Sequence, residues 1–210
     1  MHKNTLMSSS FICTLLLFFF FFLLPCYSLR VSLAGDDWTI TDNRSYVVQG
    51  HVPGTIHTIL FAAKDIPEPY AAYNDIALRP LIHSSWIFTR TFSLTEEFLA
   101  LAQFTLHFEQ VDTVANITLN ECYLGQTTSM FVPYAFELTA SCLRRSENQL
   151  RVNFTSPVAY ANQQASLYND TVMPECPPDV QHGECHVQFI RKEPCSFSWD
   201  WVRRGRGRRA

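Results

Sequence analysis

Gln103-Phe104-Thr105-Leu106-His107-Phe108-Glu109 sets Phe104, Leu106 and Phe108 on one side of an extended chain and Thr105 and His107 on the other. Side chains alternate across a strand, so the stretch reads as a β-strand with one buried face. The same period of two continues outward in both directions. Trp86–Leu94 precedes it, and Val114–Asn120 follows after Asp112-Thr113. Tyr134–Leu138 and Leu150–Phe154 repeat the theme. Strands recurring at roughly 10–20-residue intervals between polar turns predict an all-β sandwich or jelly roll. Seventeen Phe and eleven Pro against seven Gly favour the same class over a helical bundle. One short helix is expected near Thr55–Ala63, with Thr55 as cap and Ile56, Ile59 and Leu60 inward. A second is expected at Tyr160–Leu167, and a short strand at His186–Ile190.

The two ends differ from this body. Phe11–Leu24 is an almost unbroken apolar run behind Lys3, the length of a signal-peptide core and short for a membrane span. Cleavage is expected near Ser28, which leaves no stretch able to cross a bilayer. Four Asn-x-Ser/Thr sequons, at Asn43, Asn116, Asn153 and Asn169, fit a chain that is exported and N-glycosylated. The formal charge is −3, but five of the sixteen basic residues are Arg203, Arg204, Arg206, Arg208 and Arg209. Without them 11 basic residues face 19 acidic ones, a net of −8, which excludes a body that binds nucleic acid by neutralising phosphates.

Five cysteines lie beyond the signal segment, in a compartment that favours disulfides: Cys122, Cys142, Cys176, Cys185 and Cys195. The expected bridge is Cys176–Cys185, because prolines stiffen the short loop between them and Gly183 lets the chain return. A zinc site from Cys176, His182, Cys185 and His186 is the competing use, and it lacks a paired C-x-x-C. Cys122 with Cys142 is a further possible pair that sequence alone leaves open.

Few residues suggest chemistry on their own. Asp36-Asp37 and Glu96-Glu97 are adjacent carboxylates, which in a strand face opposite ways, and they read as solvated turn residues. No histidine spacing matches a metalloprotease motif, and no nucleophile elbow or phosphate loop occurs. Trp199-Asp200-Trp201 is the exception. Two indoles around a carboxylate suit a sugar, whose C–H face packs on aromatic rings while its hydroxyls donate to the carboxylate. The competing use is a pair of core tryptophans beside a surface Asp.

A series of motifs then comes in a telling order: Val52-Pro-Gly-Thr-Ile-His57, Tyr73-Asn74-Asp75, Phe108–Thr113, Leu119-Asn120 through Leu124-Gly125, Met130-Phe131 to Phe136, and Asn148-Gln-Leu150. With Cys176–His186 and Phe189–Trp201, the series resembles the N-terminal sugar-binding jelly roll of glycoside hydrolase family 2, in its mannoside-cleaving branch. The resemblance covers Leu29–Trp201.

Behind the signal peptide expected over 1–28, that resemblance implies a galactose-binding-like β-sandwich over 29–201, and where it stops the chain continues as an aberrant arginine-rich tail over 202–210. The resemblance also implies an end before the immunoglobulin-like and barrel domains. In the family Trp-Asp-Trp is followed by Gly-Pro, where this chain has Val202 and the tail. Gln110 stands where many members have glycine.

The implied activity is that of a retaining exoglycosidase removing terminal non-reducing β-D-mannose from glycans, in the lysosome or after secretion. Two glutamates on a (β/α)₈ barrel beyond this chain would do the chemistry, with no cofactor and no metal. Trp199, Asp200 and Trp201 would grip the mannose, and the partners would be the β-mannoside glycan and the remaining domains of the same enzyme. A secreted lectin-like module without catalysis is the alternative.

Overall fold

The computed structural model describes residues 28–42, 44–168, 170 and 184–193. Residues up to Ser32 form a separate unit, of which 28–32 are described and contain no helix or strand.

From Leu33 onward the order is β1 (Gly35–Asp42), β2 (Val47–Val52), α1 (Ile56–Ala62), α2 (Asn74–Ala77), β3 (Trp86–Phe92) and α3 (Glu96–Leu99). It continues through β4 (Phe104–Phe108), β5 (Ala115–Leu119), β6 (Cys122–Thr127), β7 (Tyr134–Leu138), β8 (Asn148–Phe154) and α4 (Pro157–Ser166). Six strands form one antiparallel sheet in the order β2-β1-β3-β8-β5-β6, and β4 pairs with β7 in a second.

The expected alternation holds in the register. Ile40, Phe88, Val152 and Ile117 lie opposite one another across β1, β3, β8 and β5, all at most 8% exposed. Leu106, Phe108, Tyr134, Phe136 and Leu138 of the second sheet pack against this row. Two antiparallel sheets thus face each other over an apolar core, as the strand pattern requires.

Two close approaches need glycine. A Cβ on Gly50 would lie 2.6 Å from Ile59, so Gly50 is what lets α1 lie against β2. A Cβ on Gly125 would lie 2.8 Å from the Phe136 ring, where β6 meets β7. The helix α1 starts as expected: Thr55 accepts from the Thr58 amide at 3.2 Å while the Thr58 hydroxyl accepts from Thr55, a reciprocal cap. In α4, Ser156 caps and Pro157 opens, so the helix begins three residues before the expected start.

Asn148 is fully buried and explains the Asn-Gln-Leu motif. Its Oδ1 accepts from the Arg144 amide at 2.7 Å and from Asn120 Nδ2 at 3.2 Å, tying the entry of β8 to the β5–β6 turn. Cys122 and Cys142 form a disulfide at the same end, with S–S 2.00 Å.

Several expectations change. His186–Ile190 is not a strand: Val187–Phe189 forms a single 3₁₀ turn, entered with His186 in the left-handed region at φ 64°. Asp36 and Asp37 belong to β1 rather than a turn. They sit beside its bulge, with Asp36 2.7 Å from His51 Nδ1 and Asp37 3.0 Å from Arg90. Glu96 and Glu97 occupy the first turn of α3 behind the Thr95 cap, where carboxylates complement the helix dipole.

Cys185 is disulfide-bonded, which removes its thiolate from the zinc set. Cys176, its expected partner, lies outside the described residues, so the bridge that the structure identifies in full is the one the sequence left open.

Candidate functional site

The turn after β4 (Glu109–Thr113), the β6–β7 loop (Thr128–Pro133) and the segment 184–193 converge on a polar platform built mostly from backbone groups. Each loop has its own anchor. In the β6–β7 loop the Tyr134 hydroxyl accepts from the Thr128 and Ser129 amides at 2.9 and 2.8 Å and donates to the Ser129 carbonyl at 3.0 Å. One phenol thereby ties together three backbone groups of the loop. Before β5, the buried Thr127 hydroxyl donates to the Thr113 carbonyl at 2.8 Å and accepts from the Ala115 amide at 3.1 Å. The Asp112–Thr113 peptide is cis.

The segment 184–193 is held on two sides. Val187 and Ile190 are buried against Val114 and against Val158 and Ala161 of α4, in a small core of their own. Beyond it Arg191 forms a parallel bridge with Ser129, and the Met130 amide donates to the Arg191 carbonyl at 3.0 Å. Gln110 Nε2 donates to the Met130 carbonyl at 3.2 Å, and the Glu193 amide points at Met130 Sδ at 3.1 Å. Met130 itself is 4% exposed. The Arg191 guanidinium sits 5.8 Å over the Phe131 ring.

Lys192 completes the platform by donating to the Asp112 carboxylate, an ion pair with both side chains largely shielded from water. The Asp112 side chain keeps 28% of its surface in water, so the pair positions the segment more than it stabilises the fold. His57, in the first turn of α1, is 8% exposed. Burial holds its pKa below the usual histidine range, and the Lys192 charge pushes the same way. Both effects favour neutral imidazole.

This geometry can fix the direction of the chain at Glu193. The Thr113 hydroxyl donates to the Asp112 carboxylate beside it, and no cluster of metal-ligating side chains occurs among the described residues.

Of the residues singled out from sequence, Trp199, Asp200 and Trp201 lie outside the described residues, as do Cys176, Asn43 and Asn169. Asn116 and Asn153 are described, in β5 and β8, directly opposite each other. Sequence alone does not single out the contacts of Asp112, Met130 and Lys192. Asp112 and Lys192 pair across 80 positions, and Met130 meets Gln110, Arg191 and Glu193 across 20 to 63, distances no local pattern spans. Gln110 was the one legible signal: where glycine is usual, its side chain reaches across to the next loop.

Comparison with known proteins follows the same outline. Residues 38–207 match the family described as glycosyl hydrolase 2 galactose-binding domain-like. The beta-mannosidase of Bos taurus is 40% identical over 173 residues, covering 81% of this chain and 19% of the relative. That of Rattus norvegicus is 39% identical over 179 residues, covering 84% and 20%. The crystal structure of beta-D-mannosidase from Dictyoglomus thermophilum superposes with a TM-score of 0.73 at 29% identity, covering 83% of this chain and 20% of that one. The chain spans about a fifth of the length of the curated relatives it matches.

Proposed function

The chain belongs to the glycosyl hydrolase 2 galactose-binding domain-like family, and from that premise we propose that it is the substrate-gripping N-terminal domain of a retaining β-mannosidase. The activity in view is removal of terminal non-reducing β-D-mannose from glycans. The two glutamates of a retaining mechanism, acid/base and nucleophile, belong to the part of the relatives that this chain does not span. Alone, the 210 residues are not expected to hydrolyse a glycoside.

The observation that supports a gripping role is the anchoring of Ile190–Glu193. A short segment, fixed by the Met130–Arg191 hydrogen bond and the Lys192–Asp112 pair, leads within a few residues to Trp199-Asp200-Trp201. A binding loop loses less entropy on meeting its ligand when its root is already rigid. Aromatic faces at Trp199 and Trp201 would pack on the mannose ring, and Asp200 would accept from two hydroxyls. The apolar run at Phe11–Leu24 and the sequons support passage through the secretory pathway to the lysosome.

Asp200→Ala in the longer enzyme tests this reading. Lost charged hydrogen bonds of roughly 1.5–3 kcal/mol correspond to about a 10- to 150-fold fall in kcat/KM. A rise in KM alone means the contacts act equally in ground and transition states, and a fall in kcat means they tighten on the distorted sugar. An unchanged kcat/KM in a well-folded Asp200→Ala enzyme refutes the assignment. The lectin-like alternative is tested by the same enzyme, since mannoside binding with no turnover in the longer protein would favour it.

A further inference from the structure

The face of the six-stranded sheet that points away from the core carries few charges, with Thr39, Thr89, Thr118, Gln126 and Arg151 along it beside Ile87 and the exposed Val47 and Tyr123. Two of the four sequons lie on this face, at Asn116 in β5 and Asn153 in β8. They are not merely on the same face: the register places Asn116 directly opposite Asn153. Cross-strand partners have Cβ atoms about 4.5–5.5 Å apart and point the same way. Two bulky, branched substituents rooted that close compete for one volume of solvent.

The two amides are not equivalent. Asn116 is half-buried, and its Oδ1 accepts from Gln126 Nε2 at 3.3 Å and from the Tyr123 hydroxyl at 3.4 Å. Asn153 is exposed, and its side chain makes no hydrogen bond among the described residues. Its neighbour on the other side is Ile87, which offers no competing polar group.

We propose that Asn153 carries an N-linked oligosaccharide while Asn116 stays bare, and that this face of the sheet is turned to solvent rather than to the enzyme's other domains. The donor is an oligosaccharide on a lipid diphosphate, supplied with its transferase by the secretory pathway. The Asn153 Nδ2–C1 bond forms as the sugar's C1–O bond to diphosphate breaks, the amide loses one proton, and the lipid diphosphate leaves. Transfer meets the chain before it folds, so folding exercises the choice. A chain modified at Asn153 closes the β5–β8 ladder with its glycan in water, whereas one modified at both positions brings two glycan stems into the same space.

The inference rests on the secretory reading above, and a foreign leader that forces entry into the pathway separates the two. The full chain behind such a leader is secreted from a glycosylating eukaryotic host. Enzymatic glycan release in heavy-oxygen water then marks each occupied Asn as labelled Asp. The expected result is label at Asn153 and none at Asn116. Thr155→Ala should lower the intact mass by one oligosaccharide, Thr155→Ser should keep it, and Thr118→Ala should leave it unchanged. Label at Asn116 without Asn153, both glycans on one molecule by intact mass, or no label at either overturns the proposal. Occupancy of the unmutated chain decides the matter even where a variant is not secreted.

Discussion

The β3–β8–β5 ladder and the platform under 190–193 lie in the same sandwich and are held by opposite means. In the ladder Ile117, Leu119 and Leu150 are at most 1% exposed, and the apolar rows repeat over neighbouring strands. On the platform a phenol, an amide, a thioether and one ion pair each fix a single backbone stretch. The ladder's stabilisation grows with area and is spread over many residues. The platform's is directional and concentrated, so one substitution can redirect the chain without unfolding it. Stability and substrate grip are therefore expected to respond to different residues.

The largest effect should come from the ladder. Leu150→Ala opens a cavity in the middle of the core and should cost about 2–5 kcal/mol, read as a lower Tm or denaturant midpoint. A cost near zero would mean that the inner rows do not carry the fold. Next is the Cys122–Cys142 bridge, which spans 20 positions. Replacing both cysteines by Ser should cost about 3 kcal/mol, because the unfolded chain regains that loop. Retention of wild-type stability by the double variant would count against a structural bridge.

A smaller effect, confined in pH, belongs to His57. Its folded-state pKa is depressed, so the unfolded chain binds the proton more readily. The stability it contributes is present above the ordinary histidine value of about 6.5 and is lost as pH falls below it. His57→Gln should flatten the acid side of the stability–pH curve relative to the unmodified chain. Identical slopes would remove the buried neutral imidazole from the account.

The difference between the regions also explains what could be read from the chain. β4, β5, β7 and β8 are legible because Phe104, Leu106 and Phe108 and their counterparts alternate with polar residues within five to seven positions. Thr55 announces α1 by the same local logic. At His186–Ile190 a strand-like composition misleads, because Val187 and Ile190 are buried three apart in a 3₁₀ turn rather than two apart in a strand. The sequence also left Cys122–Cys142 open, since only the fold sets β6 beside the turn before β8. Asp112 and Lys192 are illegible for the same reason: each is an ordinary charged residue until 80 positions of chain fold back.

Whether the platform aims a mannose-binding loop is decided by the kinetics of Lys192→Met in the longer enzyme, measured per folded molecule beside Leu150→Ala. Lys192→Met is expected to raise KM for a β-mannoside with kcat little changed and Tm close to wild type, and Lys192→Arg, which keeps the pair with Asp112, should restore KM. Leu150→Ala should do the reverse, lowering Tm while the folded fraction keeps its KM. A Lys192→Met enzyme with wild-type KM, or one whose KM rises only in step with lost stability as in Leu150→Ala, would contradict the account.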